Sequence, residues 1–285
     1  MPLTLRVGRP DDADRCGTIS YEAFKTIAEH HRFPPDSSAP ERTVANFASR
    51  LSHPGYHVIV AELDGHIVGS NVLDERSMII GLGPITVEPA VQNRTIGRRL
   101  MQAALQRVAE RQAPGVRLVQ AAYHTRSLSL YTTLGFEVRE PLVTLQGPPL
   151  AVQIPGHAVR RATEADLDGC NALCRRVHGH DRSGELKEAI ADGTATVVGH
   201  EGRLTGYATV LGFPGHAVGE SNAELKALIG AAAAFVGPGF LLPTRNGELF
   251  RWCLAHGLRV IQPMTLMSLG LYNEPRGAFL PSILC

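Results

Sequence analysis

Arg94, Arg98, Arg99 and Arg107 fall between Pro89 and Val108 with no acidic residue among them, just where V-E-P-A-V-Q-N-R-T-I-G-R-R-L-M (87–101) reads as a strand handing over to a helix. A helix beginning near Thr95 leaves the backbone N–H groups of residues 93 to 98 without intrahelical partners, so they can cradle phosphate oxygens. The helix dipole and the arginines add positive potential, and Gly97 lets an anion approach the backbone closely. A pyrophosphate is the ligand such a turn favours; a solvated helix start is the plainer reading. No G-x-x-x-x-G-K-[ST] loop and no G-x-G-x-x-G after a strand is present, which argues against P-loop and Rossmann nucleotide binding.

Other residues of chemical type need the same weighing. Cys170, Cys174, His178 and His180 share one expected helix, but residues eight apart on a helix are about 12 Å apart, too far to share a tetrahedral ion. They read as buried thiols and helix-end histidines, and no metal site is assigned. Tyr131, in S-L-S-L-Y-T-T-L-G-F (127–136), sits at an apolar helix position, where a core role with a bonded hydroxyl is the plain expectation. His30, His31, His53 and His57 read as surface or capping residues near a loop that could roof a site.

The elements that position these residues follow from patterning. LTLRVGRP (3–10) is a short strand, DDAD (11–14) caps a helix to about His30, and a second helix runs from about Glu41 to Leu51 beyond the Pro- and Ser-rich loop 31–40. Two strands flank Asp64-Gly65 in 56–75, a hairpin signal. MIIGLGPITVEP (78–89) is an apolar strand whose Gly81, Gly83 and Pro84 suit a bulge or a splayed edge. A helix with Ile96, Leu100, Met101, Leu105 and Val108 on one face follows, then strand 116–123, a short helix ending at Gly135, and another strand. That order implies an α/β fold, a mixed sheet with helices on both faces. Gly147-Pro148-Pro149 opens a linker. Beyond it Gly202-Arg-Leu-Thr-Gly206 repeats Gly65-His-Ile-Val-Gly69, and Gly257 repeats Gly135, so duplication accounts for the second half better than two unrelated domains.

Composition narrows the partners. With 28 basic and 27 acidic residues in 285, no global field attracts nucleic acid or a membrane surface. No apolar run approaches a membrane span and no signal-peptide pattern opens the chain, so a soluble, cytoplasmic protein is expected, with five unpaired thiols.

The arginine-rich turn resembles the acetyl-CoA signature of the GCN5-related N-acetyltransferases (GNAT), roughly V-x-P-x-x-[QR]-x-x-G-x-[GA]-x-x-L, at Val87, Pro89, Gln92, Gly97 and Leu100. Thr95 stands in place of the first glycine, and as a good N-cap it keeps the turn usable. Residues 127–136 resemble that family's N-x-x-A-x-x-L-Y-x-x-x-G-F motif at Leu130, Tyr131, Gly135 and Phe136, with Ser127 for Ala and His124 for Asn. The resemblance covers residues 1 to about 147. It implies a splayed sheet in two tandem GNAT-like copies: an acetyltransferase domain (1–147), a linker (148–157) and a degenerate copy (158–285).

It further implies acetyl-CoA as co-substrate. Ile85, Thr86 and Val87 would pair with the pantetheine arm; Gln92, Asn93, Arg94, Thr95, Ile96, Gly97, Arg98 and Arg99 would hold the pyrophosphate, with His124 and Ser127 nearby. Tyr131 would be the general acid for the departing thiolate as an amine attacks directly. Asp74 and Glu75, at the end of the preceding strand, are the candidate bases. The second copy's turn, A-V-G-E-S-N-A-E-L-K (217–226), is shorter and places Glu220 and Glu224 where the first has arginines, while Cys253 stands opposite Tyr131 and Asn246 takes the family's Asn position. The expected acceptor is a small-molecule amine; a protein N-terminus or lysine, or a non-catalytic acyl-CoA sensor, are the alternatives. The pattern fits either a monomer with an internal pseudo-dimer or a homodimer.

Overall fold

The computed structural model describes residues 3–284. The first half runs β1 (Leu3–Val7), α1 (Ala13–His30), α2 (Pro40–Ser52), β2 (Tyr56–Leu63), β3 (His66–Asp74), β4 (Ile79–Val87), α3 (Ile96–Glu110), β5 (Gly115–Ala121), α4 (Thr125–Thr133) and β6 (Glu137–Gln146). The second half repeats the order: β7 (His157–Arg161), α5 (Leu167–His178), α6 (Ser183–Ala191), β8 (Thr196–His200), β9 (Arg203–Ala208), β10 (Ala217–Gly219), α7 (Asn222–Ala231), β11 (Phe240–Pro243), α8 (Gly247–Ala255) and β12 (Arg259–Gly270), with β13 (Ala278–Leu280) added at the end.

The copies share small devices that only common backbone geometry explains. Arg6 grips Asp12 (2.7 Å) and Arg160 grips Asp166 (2.6 Å), in each case fastening a strand to the start of the next helix. Gly65 and Gly202 take positive φ (79° and 74°) at the two hairpin turns, and Gly135 and Gly257 do so (94° and 88°) where α4 and α8 end, a conformation open to glycine without cost.

Among the described residues, one sheet runs β1-β2-β3-β4-β5-β12-β6-β11 and a second β13-β10-β9-β8-β7. The order overturns the simple picture in which β6 completes the first copy alone. β12 of the second copy lies between β5 and β6, pairing with β5 from Met264↔Ala121 to Gly270↔Gly115, while β6 pairs with β11 of the second copy. The copies have thus exchanged their last strands across the β6–β12 pair. That exchange buries Val143 and Leu145 of β6 in the core of the second copy beneath α7 and α8, and Met267 of β12 in the core of the first beneath α3 and α4. A smaller cluster of Cys16, Phe47, Val58, Val60 and Val72 packs α1 and α2 on the opposite face.

Among the described residues, only one contact within the large sheet is parallel. β4 and β5 pair at Ile79↔Gly115, Ile80↔Val116 and Gly81↔Arg117 and then separate. β4 meanwhile stays on β3 through Gly69↔Val87, Ser70↔Thr86 and Asn71↔Ile85, beyond a register shift beside Gly83-Pro84. The expected splay is therefore a V whose closed end lies at Gly81 and Arg117. No helix among the described residues is long and apolar enough to cross a membrane.

Candidate active site

At the open end of the V, the chain leaves β4 through a short turn at Pro89–Val91 and enters α3 with Asn93 and Thr95 both left-handed (φ 65° and 63°). This corrects the expected capping role of Thr95. An N-cap side chain works from extended backbone, whereas here the Thr95 hydroxyl is turned back to donate to the Arg94 carbonyl oxygen (2.6 Å). No side chain among the described residues caps α3, which leaves its first N–H groups uncommitted. Arg94 and Arg99 are exposed, Arg98 half-buried, and none of the three meets a carboxylate among the described residues. Ile96 is buried in the core beneath, so only its backbone can serve a ligand.

Two side chains hold the turn. Gln92 Nε2 donates to the Val87 carbonyl (3.0 Å), and Arg126 of α4 donates to Gln92 Oε1 (3.1 Å) and Asn93 Oδ1 (3.0 Å). Arg126 escaped the sequence reading because it lies outside the turn; its place in the first turn of α4, facing the arginine cluster, was the available signal. With Arg98, Thr125, Ser129, Leu130 and Thr133 it lines a groove of about 350 Å³ between α3 and α4.

A β-branched residue in the left-handed region costs about 1 to 3 kcal/mol. Thr95→Gly removes that strain against a smaller loss of chain entropy. The variant should melt about 2 °C higher with an unweakened CoA site; an unchanged or lower melting temperature would show that the turn is relaxed as it stands.

From the turn inward, Ile85 and Val87 pack their side chains onto the α3 core, and Thr86 buries its hydroxyl on the other side without a hydrogen-bond partner among the described residues. Among the described residues their backbone edges toward β5 are unpaired. Across the V, His124 precedes α4, its ring pushed down to about 4 by burial and then by Arg126 and His31, so it is neutral at ordinary pH. The Ser127 hydroxyl lies 2.8 Å from both the His124 carbonyl and Gln120 Oε1, and the buried Gln120 Nε2 has no partner among the described residues. Tyr131 is 6% exposed and packs in the α3–α4 core, with its ring 6.1 Å from that of Phe136. Its hydroxyl makes no hydrogen bond among the described residues, and burial holds the phenol above its ordinary range, hence protonated at neutral pH.

The two candidate bases separate by strand alternation. Glu75 falls on the α3 side, held by Arg107 (2.7 Å) and Arg111 (3.4 Å). Burial pushes its carboxyl up, but the guanidinium groups outweigh that and keep it below the usual range. Asp74 falls on the opposite face beside Gly81, bound to Arg76, which also reaches Glu188 of α6. Both carboxylates are thus engaged in ion pairs, and only Asp74 faces the α1–α2 side of the V. A third carboxylate is there without an arginine among the described residues. Asp36, in the loop between α1 and α2, accepts from Gln262 Nε2 (2.7 Å), and Gln262 Oε1 accepts from Tyr123 (3.1 Å), whose ring stacks on Phe33 at 4.4 Å. Burial raises the Asp36 carboxyl more than the Gln262 bond lowers it. A loop position with no periodicity hid it from sequence reasoning.

The second copy has the same elements with the opening closed. Ser221 N and Oγ both donate to Glu224 Oε2 (2.8 and 2.7 Å), and Ala223 N donates to Ser221 Oγ (3.1 Å), so α7 is capped by its own residues. Glu220 is taken up by Arg176 (2.9 Å). Along β10, at the position of the free edge of β4, β13 forms a strand with Ala217↔Leu280, Val218↔Phe279 and Gly219↔Ala278. Asn246 caps α8, accepting from Leu249 N (3.3 Å), and Cys253 is a core thiol pushed up to about 12 by burial. Cys170 and Cys174 are likewise buried among apolar neighbours, and His178 and His180 lie between the copies with Arg117 and Arg182.

Residues 22–136, spanning both motifs and the V between them, match the family described as Acetyltransferase (GNAT). The matched segment lies within the N-terminal copy. No protein with a curated description matches the sequence. Solved structures extend the GNAT fold over the whole chain. A Pyrococcus horikoshii protein described as an acetyltransferase superposes with TM-score 0.75 at 18% identity, covering 97% of this chain and 94% of its own. A GCN5-related N-acetyltransferase from Sphaerobacter thermophilus gives 0.60 at 15%, covering 95% and 96%. A tandem GNAT protein of the clavulanic acid biosynthesis pathway gives 0.56 at 13%, covering 94% and 98%. At these identities the likeness is one of fold: a mixed, splayed sheet flanked by helices, in tandem GNAT copies.

Proposed function

We propose that the protein is an acetyl-CoA-dependent N-acetyltransferase acting on a small-molecule amine, with one acyl-CoA site in residues 1–147 and a copy at 158–285, beyond the linker 148–157, that binds none. The observation that carries this reading is the uncapped, arginine-flanked start of α3 next to the edge of Ile85–Val87 left unpaired among the described residues, with the protonated phenol of Tyr131 in the core cluster that Ile85 and Val87 join. Phosphates bind at the first, an extended amide chain pairs with the second, and a thiolate leaving group needs the third. Arg94, Arg98, Arg99 and Arg126 hold the pyrophosphate, with Gln92 and Asn93 fixing the turn between them. The amine enters from the α1–α2 face. There α6 of the second copy packs Gly184 onto Arg76, and Glu188 binds His53 (3.0 Å), a covered approach that suits a small acceptor better than a protein surface. The two copies act as an internal pseudo-dimer.

Asp36 replaces Asp74 and Glu75 as the preferred base, being a carboxylate on the acceptor face with no cationic partner among the described residues. Its raised pKa sets the signs. Stability from the protonated form is present at low pH and lost as pH rises through the folded pKa, so Asp36→Asn, which still accepts from Gln262, should be as stable as wild type or more so at neutral pH. Activity runs the other way: kcat/KM should rise with pH through a value above the ordinary aspartate range, and the variant should lose about 10²-fold with that limb of the profile. A fully active Asp36→Asn would remove it as base. The reaction itself is tested by thiol release from acetyl-CoA with a panel of amines. Amine-dependent release supports the reading; tight CoA binding with no release from any amine or lysine peptide would favour a sensor.

A further inference from the structure

The chain does not stop at the filled second cleft. β13 starts beside the capped end of α7 and runs antiparallel to β10 as far as Leu280, and the chain continues through Pro281. There Arg182 Nη2 donates to Ser282 Oγ (3.0 Å) and Ile283 N donates to the Phe213 carbonyl (2.8 Å). Ile283 joins Val119, Ala121, Met264 and Tyr272 in an apolar cluster on the acceptor face of β5 and β12. Leu284 then lies against β4 of the first copy. A Cβ on Gly81 would overlap the Leu284 carbonyl oxygen and stand 3.1 Å from the Leu284 Cβ, and one on Gly83 would stand 4.0 Å from Leu284 Cδ2. Gly81 and Gly83 flank Leu82, where β4 parts from β5. Gly81 is not among the residues of positive φ, so close approach of Leu284, two hundred residues away in sequence, is the constraint visible at that position.

We infer that Ile283 and Leu284 form a wall of the acceptor pocket of the first copy and limit the size of amine it takes, an inference that rests on the acetyltransferase reading of that copy. The strand that closes one cleft thereby shapes the other. Its three anchors, the β10 ladder, the Arg182 bond and the Phe213 bond, hold the wall in place, and a fixed apolar wall discriminates by volume. Removing or adding a few methylenes in such a pocket changes relative kcat/KM by about tenfold or more.

The test compares Leu284→Ala, Leu284→Trp and Gly81→Ala with wild type over amines of graded bulk, with the acetyl-CoA dissociation constant measured in parallel. Leu284→Ala should raise the kcat/KM ratio of the bulkiest to the smallest amine by about tenfold, and Leu284→Trp should lower it similarly. Gly81→Ala, which displaces the Leu284 carbonyl without altering the tail, should shift the ratio as Leu284→Ala does. Acetyl-CoA affinity should hold in all three. Wild-type turnover with the same amine ratios in every variant overturns this inference alone. No turnover by wild type with any amine overturns the acetyltransferase reading and this inference with it.

Discussion

Tyr131→Phe is expected to lower kcat by about 10² to 10⁴ while acetyl-CoA affinity and the melting temperature stay near wild type. The substitution keeps the ring, its packing against α3 and its contact with Phe136, and deletes only the proton. A structural tyrosine would behave differently: loss of a hydroxyl hydrogen bond costs about 1 kcal/mol of stability and spares turnover. No such bond exists among the described residues. The raised pKa has a consequence for catalysis too. Burial disfavours the phenolate, so the phenol carries its proton at neutral pH, as a donor to a departing thiolate must. If the variant turns over normally, Tyr131 is a core residue and water becomes the proton donor to examine, His124 being neutral.

Reversing Arg98 and Arg99 together to Glu is expected to weaken CoA by about 10² to 10⁴-fold, since each charged hydrogen bond lost is worth about 1.5 to 3 kcal/mol and tenfold in affinity is 1.4 kcal/mol. Stability should not fall. Neither arginine holds a carboxylate among the described residues, and acidic residues in the first turn of a helix interact favourably with its dipole. The double variant should therefore melt at or above the wild-type temperature while failing to bind. A small change in affinity would mean that the arginines are a solvated helix start, as their sequence position alone allowed.

How far the sequence carried this account depends on the range of the interactions involved. The element order of the first half, the hairpin at Asp64-Gly65 and the splay at Gly81–Pro84 follow from local periodicity and glycine placement, and they stand in the fold as expected. The strand exchange does not. β6 and β12 carry the same alternating pattern whichever copy they complete, and only the summed packing of Val143, Leu145 and Met267 chooses between the two. Thr95 misled because a good N-cap residue and a left-handed turn residue occupy the same place in sequence, and the following residues cannot say which backbone is adopted. Glu224 was expected only to stand where the first copy has an arginine; it is buried and caps α7, closing that turn before charge matters. Arg126 and Asp36 sit where no spacing rule points, and their partners, Gln92 with Asn93 and Gln262, lie 33 or more residues away.

The central claim, a single acyl-CoA site built by the first copy while β13 occupies the second, is tested most directly by calorimetric titration of the full chain with CoA. The account predicts one site per chain, weakened by the Arg98 and Arg99 reversal and indifferent to Lys226→Ala in the capped helix of the second copy. Two equivalent sites, or one site that survives the arginine reversal and is lost with Lys226, would contradict it.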